Sequence, residues 1–378
     1  MNRLILIGNG FDLAHGLETG YNDFIKWYLT NALTIAGKEF EYVDELLKVE
    51  KENRDLSQPI YIAGKVMTEA EFIDFFYKRG FAELMRNQEI KIQGQNWRST
   101  FKVTIRSTLL ENLLLKCGPT RWVDIENEFY TLLKVILLHE KRGNKEALLN
   151  DVNLSLTEII KYLQIYLSGL PVPRKIDGYR LLMPEKIKKD EIMLPNRLLT
   201  DEEPKSLHIL NFNYTTTPAT YADDIIPEIY PTPVQLNYIH GQLNKTDNPV
   251  IFGFGDELDE HYKKIEQEET PGFFSYVKSF WYFKTGNYHK LIRFIDEDEF
   301  QVYVLGHSCG LSDRTMLNMI FEHVNCKSIK IFYHENEEGQ NNFTGITQEI
   351  ARHFTDKAAM RKKISPLNKS RAMLQSNS

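Results

Sequence analysis

Three short apolar runs in this chain, at residues 4–7, 207–212 and 301–305, each give way at once to glycine or asparagine. A fourth run, at 328–333, gives way to His334. Each is rich in Ile, Leu, Val, Tyr or Phe and is four to six residues long, which is strand length rather than helix length. Short runs that are apolar almost throughout suit parallel strands covered on both faces. Their polar punctuation falls at their carboxyl ends, the edge at which open α/β sheets bind ligands.

The expected fold class is therefore α/β, with a Rossmann-like parallel sheet core, discontinuous in sequence, and a large helical insertion. Residues 1–30, 205–243 and 300–364 make up the expected nucleotide-binding core. Residues 31–204 read as a mainly helical insertion. Segment 107–115 is leucine-rich, and 122–140 places Ile125, Phe129, Leu132 and Leu133 at helical spacing. Segment 154–167 repeats the pattern and meets a helix stop at Ser168-Gly169-Leu170-Pro171. Residues 171–204 mix prolines with charges and read as loop. Residues 244–299 form a second insertion, aromatic-rich at 273–289 (FFSYVKSFWYFKTGNYH). Core and lid packing is preferred there to a base-stacking platform. Residues 346–364 read as one more helix. Residues 365–378 lack a pattern and are expected to be a disordered tail.

Bulk properties narrow the function. The 378 residues suffice for one large or two modest domains. A net charge of -6 argues against a protein whose main task is to coat nucleic acid. The three cysteines, Cys117, Cys309 and Cys326, are odd in number and form no CxxC pair. A disulfide framework or a cysteine zinc site is not expected, and a reducing compartment is. No apolar stretch approaches the roughly 20 residues that span a bilayer. The expected location is cytoplasmic.

The chemistry-bearing residues stand at the strand ends. After the first run comes Gly8-Asn9-Gly10-Phe11-Asp12. Glycines let a backbone turn off a strand and approach a phosphate. A simple tight turn is the other reading, and the spacing is neither GxGxxG nor a Walker A loop. Asp12 is an acid beside that anion site, suited either to a ribose hydroxyl or to capping the helix. The second run ends in Asn211-Phe212-Asn213-Tyr214-Thr215-Thr216-Thr217. Asparagines at i and i+2 share a strand face, so one can aim its amide at the ligand edge. Thr215 to Thr217 fit a helix cap equally well. His240, in Asn237-Tyr238-Ile239-His240-Gly241, is placed for acid/base work or a ribose contact. The third run leads into Gly306-His307-Ser308-Cys309-Gly310-Leu311-Ser312-Asp313. Gly306 to Gly310 also matches GxSxG, which would make Ser308 a nucleophile with Asp313 or Glu335 as acid and His353 as base. Only chain order supports that set. No HExxH or other ligand spacing is present, so no metal is expected.

These blocks resemble a known family. RLILIGNGFDLAHGLETGYNDF (3–24), TRWVDIENEFY around Trp122, ILNFNYTTT, YIHGQL, IFGFGDE and YVLGHSCGLSD are similar to the bacteriophage abortive-infection family AbiH. A remoter likeness is to sirtuin-like proteins of bacterial defence systems, which bind NAD and several of which hydrolyse it. That likeness implies cofactor-binding roles for Gly8, Gly10, Gly306, Ser308 and Asp313, and catalytic roles for Asn213 and His240. Asn9 and Asp12, the latter standing where a small residue is usual, are candidate cofactor contacts by their position in the loop. Thr215 stands where an Asp is usual, and no zinc-binding cysteine quartet is present. The implied function is an antiphage effector that binds NAD or a related nucleotide and hydrolyses it at the N-glycosidic bond. A nucleotide-binding sensor without catalysis and a nucleic-acid-processing enzyme are the alternatives. The expected partners are a nucleotide ligand, with self-association or a partner defence protein, and no membrane. Nucleic acid stays open as a ligand.

Overall fold

The computed structural model describes residues 1–51, 60–62, 65–86, 90–92, 95–97, 101–119, 124–139, 142–222 and 233–376. The chain divides into two compact units. One comprises Met1–Thr19, Leu170–Gln267 and Tyr276–Ser378, and the other Gly20–Gly169 and Glu268–Ser275.

The first unit is built on a six-stranded parallel sheet. Its strands are β1 (Asn2–Ile7), β2 (Leu207–Asn211), β3 (Val234–Tyr238), β4 (Phe300–Leu305), β5 (Cys326–Tyr333) and β6 (Arg371–Ala372), in spatial order β3-β2-β1-β4-β5-β6. Every pairing is parallel. Because strand side chains alternate, β1 feeds two cores. Leu4 and Leu6 join Leu210, Val302, Val304, Ile329 and Ile331 beneath the helices Asn287–Glu297, Arg314–Glu322 and Phe343–Arg352. Ile5 and Ile7 join Ile209, Leu305 and Phe332 beneath helix α1 (Asn9–Ala14) and the helix Asp177–Leu182. This is the Rossmann-like α/β core expected from the apolar runs. After β1 the sheet grows to one side through β2 and β3, and β4 then returns to the other flank of β1. The order therefore reverses between β1 and β4, and at such a switch point the strand ends open a crevice for ligands.

One face of the sheet carries a buried polar layer. Arg3 of β1, fully buried, donates to the carbonyl of Met183 (2.9 Å), to that of Glu185 and to Gln301 Oε1 (3.0 Å). Lys330 of β5 pairs with Glu191 (2.7 Å), which also accepts from Gln301 Nε2 (3.1 Å). Tyr303 donates to Glu185 (2.8 Å). The layer ties segment 183–191 to three strands. This segment lies in a stretch read as loop, yet it follows the helix Asp177–Leu182 and includes a short 3-10 turn, Lys189–Glu191.

The second unit contains the long helices Tyr21–Glu39, Thr108–Lys116, Ile125–Leu137 and Arg142–Ser168. Ser107 and Asp124 cap two of them by accepting from Leu110 N and Asn127 N. Trp122 and Glu140, at the ends of the expected 122–140 helix, lie outside the described residues. The unit is less purely helical than expected. Glu41–Val43, Leu47–Lys51 and Phe101–Ile105 form an antiparallel three-stranded sheet, and two short hairpins occur at Ile60–Ile62/Lys65–Met67 and Ile90–Ile92/Gln95–Trp97. The reason is local. Phe101-Lys102-Val103-Thr104 alternates with period two, burying Phe101 and Val103 while exposing the other two.

Two C-terminal expectations need correction. Residues 346–364 are two helices, Phe343–Arg352 and Lys357–Lys363, and Asp356 caps the second by accepting from Ala358 N. The tail is ordered through Ser376. Arg371 and Ala372 pair with Phe332 and Tyr333, Met373 is buried, Leu374 accepts from Tyr179 Oη (2.8 Å), and Ser376 N donates to Ala14 O (2.8 Å). The exposed edge of β5 supplies what the tail's own sequence lacks, which is a strand to pair with. Among the described residues, no helix is long and apolar enough to cross a membrane.

Truncating one member of a buried ion pair strands the other charge. Lys330→Ala should therefore destabilise the first unit by about 3–5 kcal/mol, read by urea unfolding. Wild-type stability would show that the Glu191 carboxylate is satisfied without its lysine.

Candidate functional site

The glycine turns after β1 and β4 meet at the switch point. Gly10 N donates to Gly306 O (2.8 Å), and Gly8 N to Leu305 O (3.2 Å). A Cβ on Gly8 would lie 2.6 Å from His307 Cα, and one on Gly10 2.9 Å from Gly306 Cα. Gly306 adopts φ +69°, and its Cβ would lie 2.2 Å from Phe11 N. The glycines are thus required by the contact of one turn with the other. That contact also uses the Gly8 and Gly10 amides, and Phe11 N donates to Gly8 O (2.9 Å). The turn is narrower as a phosphate cradle than its sequence suggests. Asn9, the first residue of α1, presents its amide at the start of that helix.

The turn after β2 is laced to the same place. Asn211 closes its own turn, accepting from Asn213 N (3.1 Å) and donating to Asn213 O (3.0 Å). Asn213 Nδ2 donates to Gly8 O (3.0 Å). Thr215 Oγ1 donates to Asp12 Oδ2 (2.6 Å). Asp12 does not cap α1, because Gly8 occupies that position. Its Oδ1 is buried without a partner. Burial pushes its carboxyl up to about 6, against the opposing pull of the Thr215 and Thr217 hydroxyls.

On the other flank of β1 lies a charge cluster. Asp313 Oδ1 is 2.8 Å from Lys278 Nζ and 3.1 Å from His240 Nε2, and Asp313 Oδ2 is 3.7 Å from His307 Nε2. All four side chains are at least nine-tenths buried. Burial alone would raise the Asp313 carboxyl, but Lys278 first, and then His240 and His307, hold it well below the usual carboxylate range. Burial and the Lys278 charge lower His240, and burial lowers His307 to about 4. Both rings are neutral near pH 7 beside an ionised carboxylate. His240 Nε2 also lies 3.2 Å from Tyr282 Oη, and the two rings are stacked at 11°. Gly241 turns the chain after His240 at φ +84°, where a Cβ would lie 2.0 Å from Pro249 O.

The structure thus brings together Gly8, Asn9, Gly10, Asp12, Asn213, His240, Gly306 and Asp313. Ser308 is exposed on the rim of the turn. The hydrolase arrangement does not form: His353 Nε2 is engaged with the Cys309 carbonyl (2.7 Å), Asp313 faces Lys278 and His240, and Glu335 is exposed. Sequence reasoning missed Lys278 and Tyr282. The available signal was a lysine and a tyrosine at i, i+4 inside the aromatic run. Among the described residues, no group of three or more His, Cys, Asp or Glu side chains is placed to hold a metal ion.

A family model described as Bacteriophage abortive infection AbiH matches residues 4–335. The chain belongs to the AbiH family. Comparison with curated proteins and with solved structures finds no match. Membership supports a role in abortive infection of bacteriophage. The matched span of this AbiH protein includes all the residues of the charge cluster and both glycine turns.

Two predictions follow from the packing and the charge. Gly306→Ala must leave φ +69° or push back the Gly10–Phe11 backbone, and should cost about 2–4 kcal/mol in thermal unfolding. For Asp12 the folded value, about 6, lies above the unfolded value, 3.8. Its contribution is therefore present below pH 3.8 and lost as pH rises through 6. Asp12→Asn should be more stable than wild type at pH 7, on the order of 2 kcal/mol, with the gap closing towards pH 4. A gap that stays constant across that window in melting curves contradicts the assignment.

Proposed function

We propose that this AbiH protein is an antiphage effector that binds NAD or a related nucleotide at the β1–β4 switch point and cleaves its N-glycosidic bond. The observation that supports the reading best is the Asp313–His240 pair, buried beside the glycine turns at the ligand edge of a Rossmann-like sheet. The resemblance to sirtuin-like defence proteins supports the choice of NAD.

The chemistry asked of the residues is limited. The bond from ribose C1′ to the nicotinamide nitrogen breaks, and its electron pair neutralises the pyridinium. Water attacks C1′, and its proton passes to a base. Asp313, an acceptor when ionised, faces His240 Nε2 and stabilises the imidazolium formed when the ring takes up a proton. Asn213, with Nδ2 held on Gly8 O, is suited to orienting a ribose hydroxyl or the water through its Oδ1. Asp12, with its unpartnered Oδ1, is suited to a second sugar hydroxyl. Asn9 offers its amide to the pyrophosphate.

The test separates enzyme from sensor. Purified protein is incubated with NAD, ATP or RNA, and the products are resolved by chromatography. Nicotinamide and ADP-ribose from NAD are expected. A nucleotide at a hundred times its dissociation constant should add about 2.7 kcal/mol of stability. His240→Ala and Asn213→Ala should each abolish phage protection in folded protein, with roughly a 10²- to 10⁴-fold loss in rate for the histidine. Ser308→Ala should retain activity. Nucleotide binding without turnover would favour the sensor, and wild-type protection by both variants would sink the mechanism.

A further inference from the structure

Lys278 has no exposed surface, and a lysine in that position demands a partner. It opens a short helix, Lys278–Trp281, continued by a 3-10 turn, Tyr282–Lys284. Residues 278 and 282 are four apart and so share one face of this segment. From that face, Lys278 Nζ reaches Asp313 Oδ1 (2.8 Å) and Tyr282 Oη reaches His240 Nε2 (3.2 Å). Asp313 and His240 are themselves 3.1 Å apart, so the arm grips both members of one pair.

The arm has a dedicated seat. Lys278 N donates to Phe254 O (3.0 Å), and Phe254 N to Tyr276 O (3.1 Å). Gly253 sits at φ +142°, where a Cβ would lie 2.0 Å from Tyr276 O. A Cβ on Gly255 would lie 3.4 Å from Lys278 Cβ and 3.1 Å from Ser312 O. The glycines of the IFGFGDE block therefore let the backbone approach the arm closely and bring it against the Asp313 turn. Thr315 N donates to Gly255 O (3.0 Å), which ties the seat to the helix that follows Asp313.

We propose that Lys278 and Tyr282 are positioning residues that hold the Asp313–His240 pair in its working arrangement through a two-point grip. This rests on reading His240 as the base of the proposed reaction. The groups facing His240 are Asp313 from the turn after β4, Lys278 and Tyr282 from the arm, His307 from the end of β4 and the Phe212 carbonyl; His353 stands behind His307. The Lys278 charge opposes protonation of His240 and keeps Asp313 ionised. Replacing Lys278 with an uncharged side chain lifts that repulsion, and the histidine becomes easier to protonate. Replacing Tyr282 with phenylalanine changes no charge but removes a hydrogen-bond partner of Nε2.

The experiment follows His240 by NMR in the full chain with labelled histidine, the resonance being assigned by its loss in His240→Gln. In Lys278→Met the His240 titration should move to higher pH, and in Lys278→Arg it should return towards wild type. In Tyr282→Phe the Nε2 signal should shift while the titration keeps its charge dependence. Should Lys278→Met fail to fold, Tyr282→Phe decides alone. A lysine that only supports the fold would lower the melting temperature and leave the His240 midpoint in place. That result, or an unmoved Nε2 signal in Tyr282→Phe, overturns the proposal. The readout needs no nucleotide, so a wild type inert towards NAD sinks the proposed reaction and leaves this measurement standing.

Discussion

The backbone contact between Gly10 and Gly306 is the constraint on which the rest of the site depends. Two turns from opposite sides of the switch point approach so closely that no side chain fits between them. The hydrogen bond from Gly10 N to Gly306 O fixes the start of α1 against the end of β4. Much of the candidate site hangs from one turn or the other. Asp12 rides on α1, Asn213 is bonded to the Gly8 carbonyl, and His307 and Asp313 follow Gly306. A displacement of either turn would therefore move both halves of the site together.

The sheet was legible because parallel strands buried on both faces announce themselves as short apolar runs. β1, β2, β4 and β5 could all be read that way, and the glycine, asparagine and histidine at their ends marked the correct edge. β6 could not be read, since Arg371 and Ala372 carry no strand signal and are strand only because the end of β5 offers hydrogen bonds. The strands at residues 41–51 and 101–105 were hidden by the stronger helical periodicity around them. In the candidate site, strand ends pointed to Gly8, Asn213, His240 and Gly306, which the fold brings to one edge. Lys278 stayed hidden because its partner, Asp313, is distant in sequence, and a lone lysine among aromatics reads as a solvated charge. Only the fold shows that it has no solvent.

The glycines also show where a motif can mislead. A glycine turn after the first strand suggests a phosphate cradle, because both uses require a missing Cβ. Here the missing Cβ is accounted for within the protein, and two of the turn's amides are spent there. At this edge Lys278 pairs with Asp313, and Arg314 with Asp256 (3.2 Å). In the proposed site, discrimination among ligands would fall to directional hydrogen bonds from Asn213, His240, Asp12 and the Asn9 amide, rather than to net charge.

Two of the buried carboxylates at this edge, Asp313 and Asp12, differ sharply in their surroundings. Asp313 is compensated by a lysine and two histidines, and stays ionised. Asp12 has the Thr215 and Thr217 hydroxyls, and burial pushes its carboxyl up to about 6. Acids whose environments separate their proton affinities are the pattern by which one site supplies both a fixed charge and a titratable group near neutral pH. Neither environment is what stability alone would select. An uncompensated buried carboxylate costs free energy that an asparagine would avoid, and a buried lysine–aspartate pair is often no better than an apolar one. The sequence retains both, at the one edge of the sheet where the topology opens a place for a ligand. Stability forgone at this edge is what a working site requires, and it is why the proposed function rests on the charge cluster more than on the glycine turn.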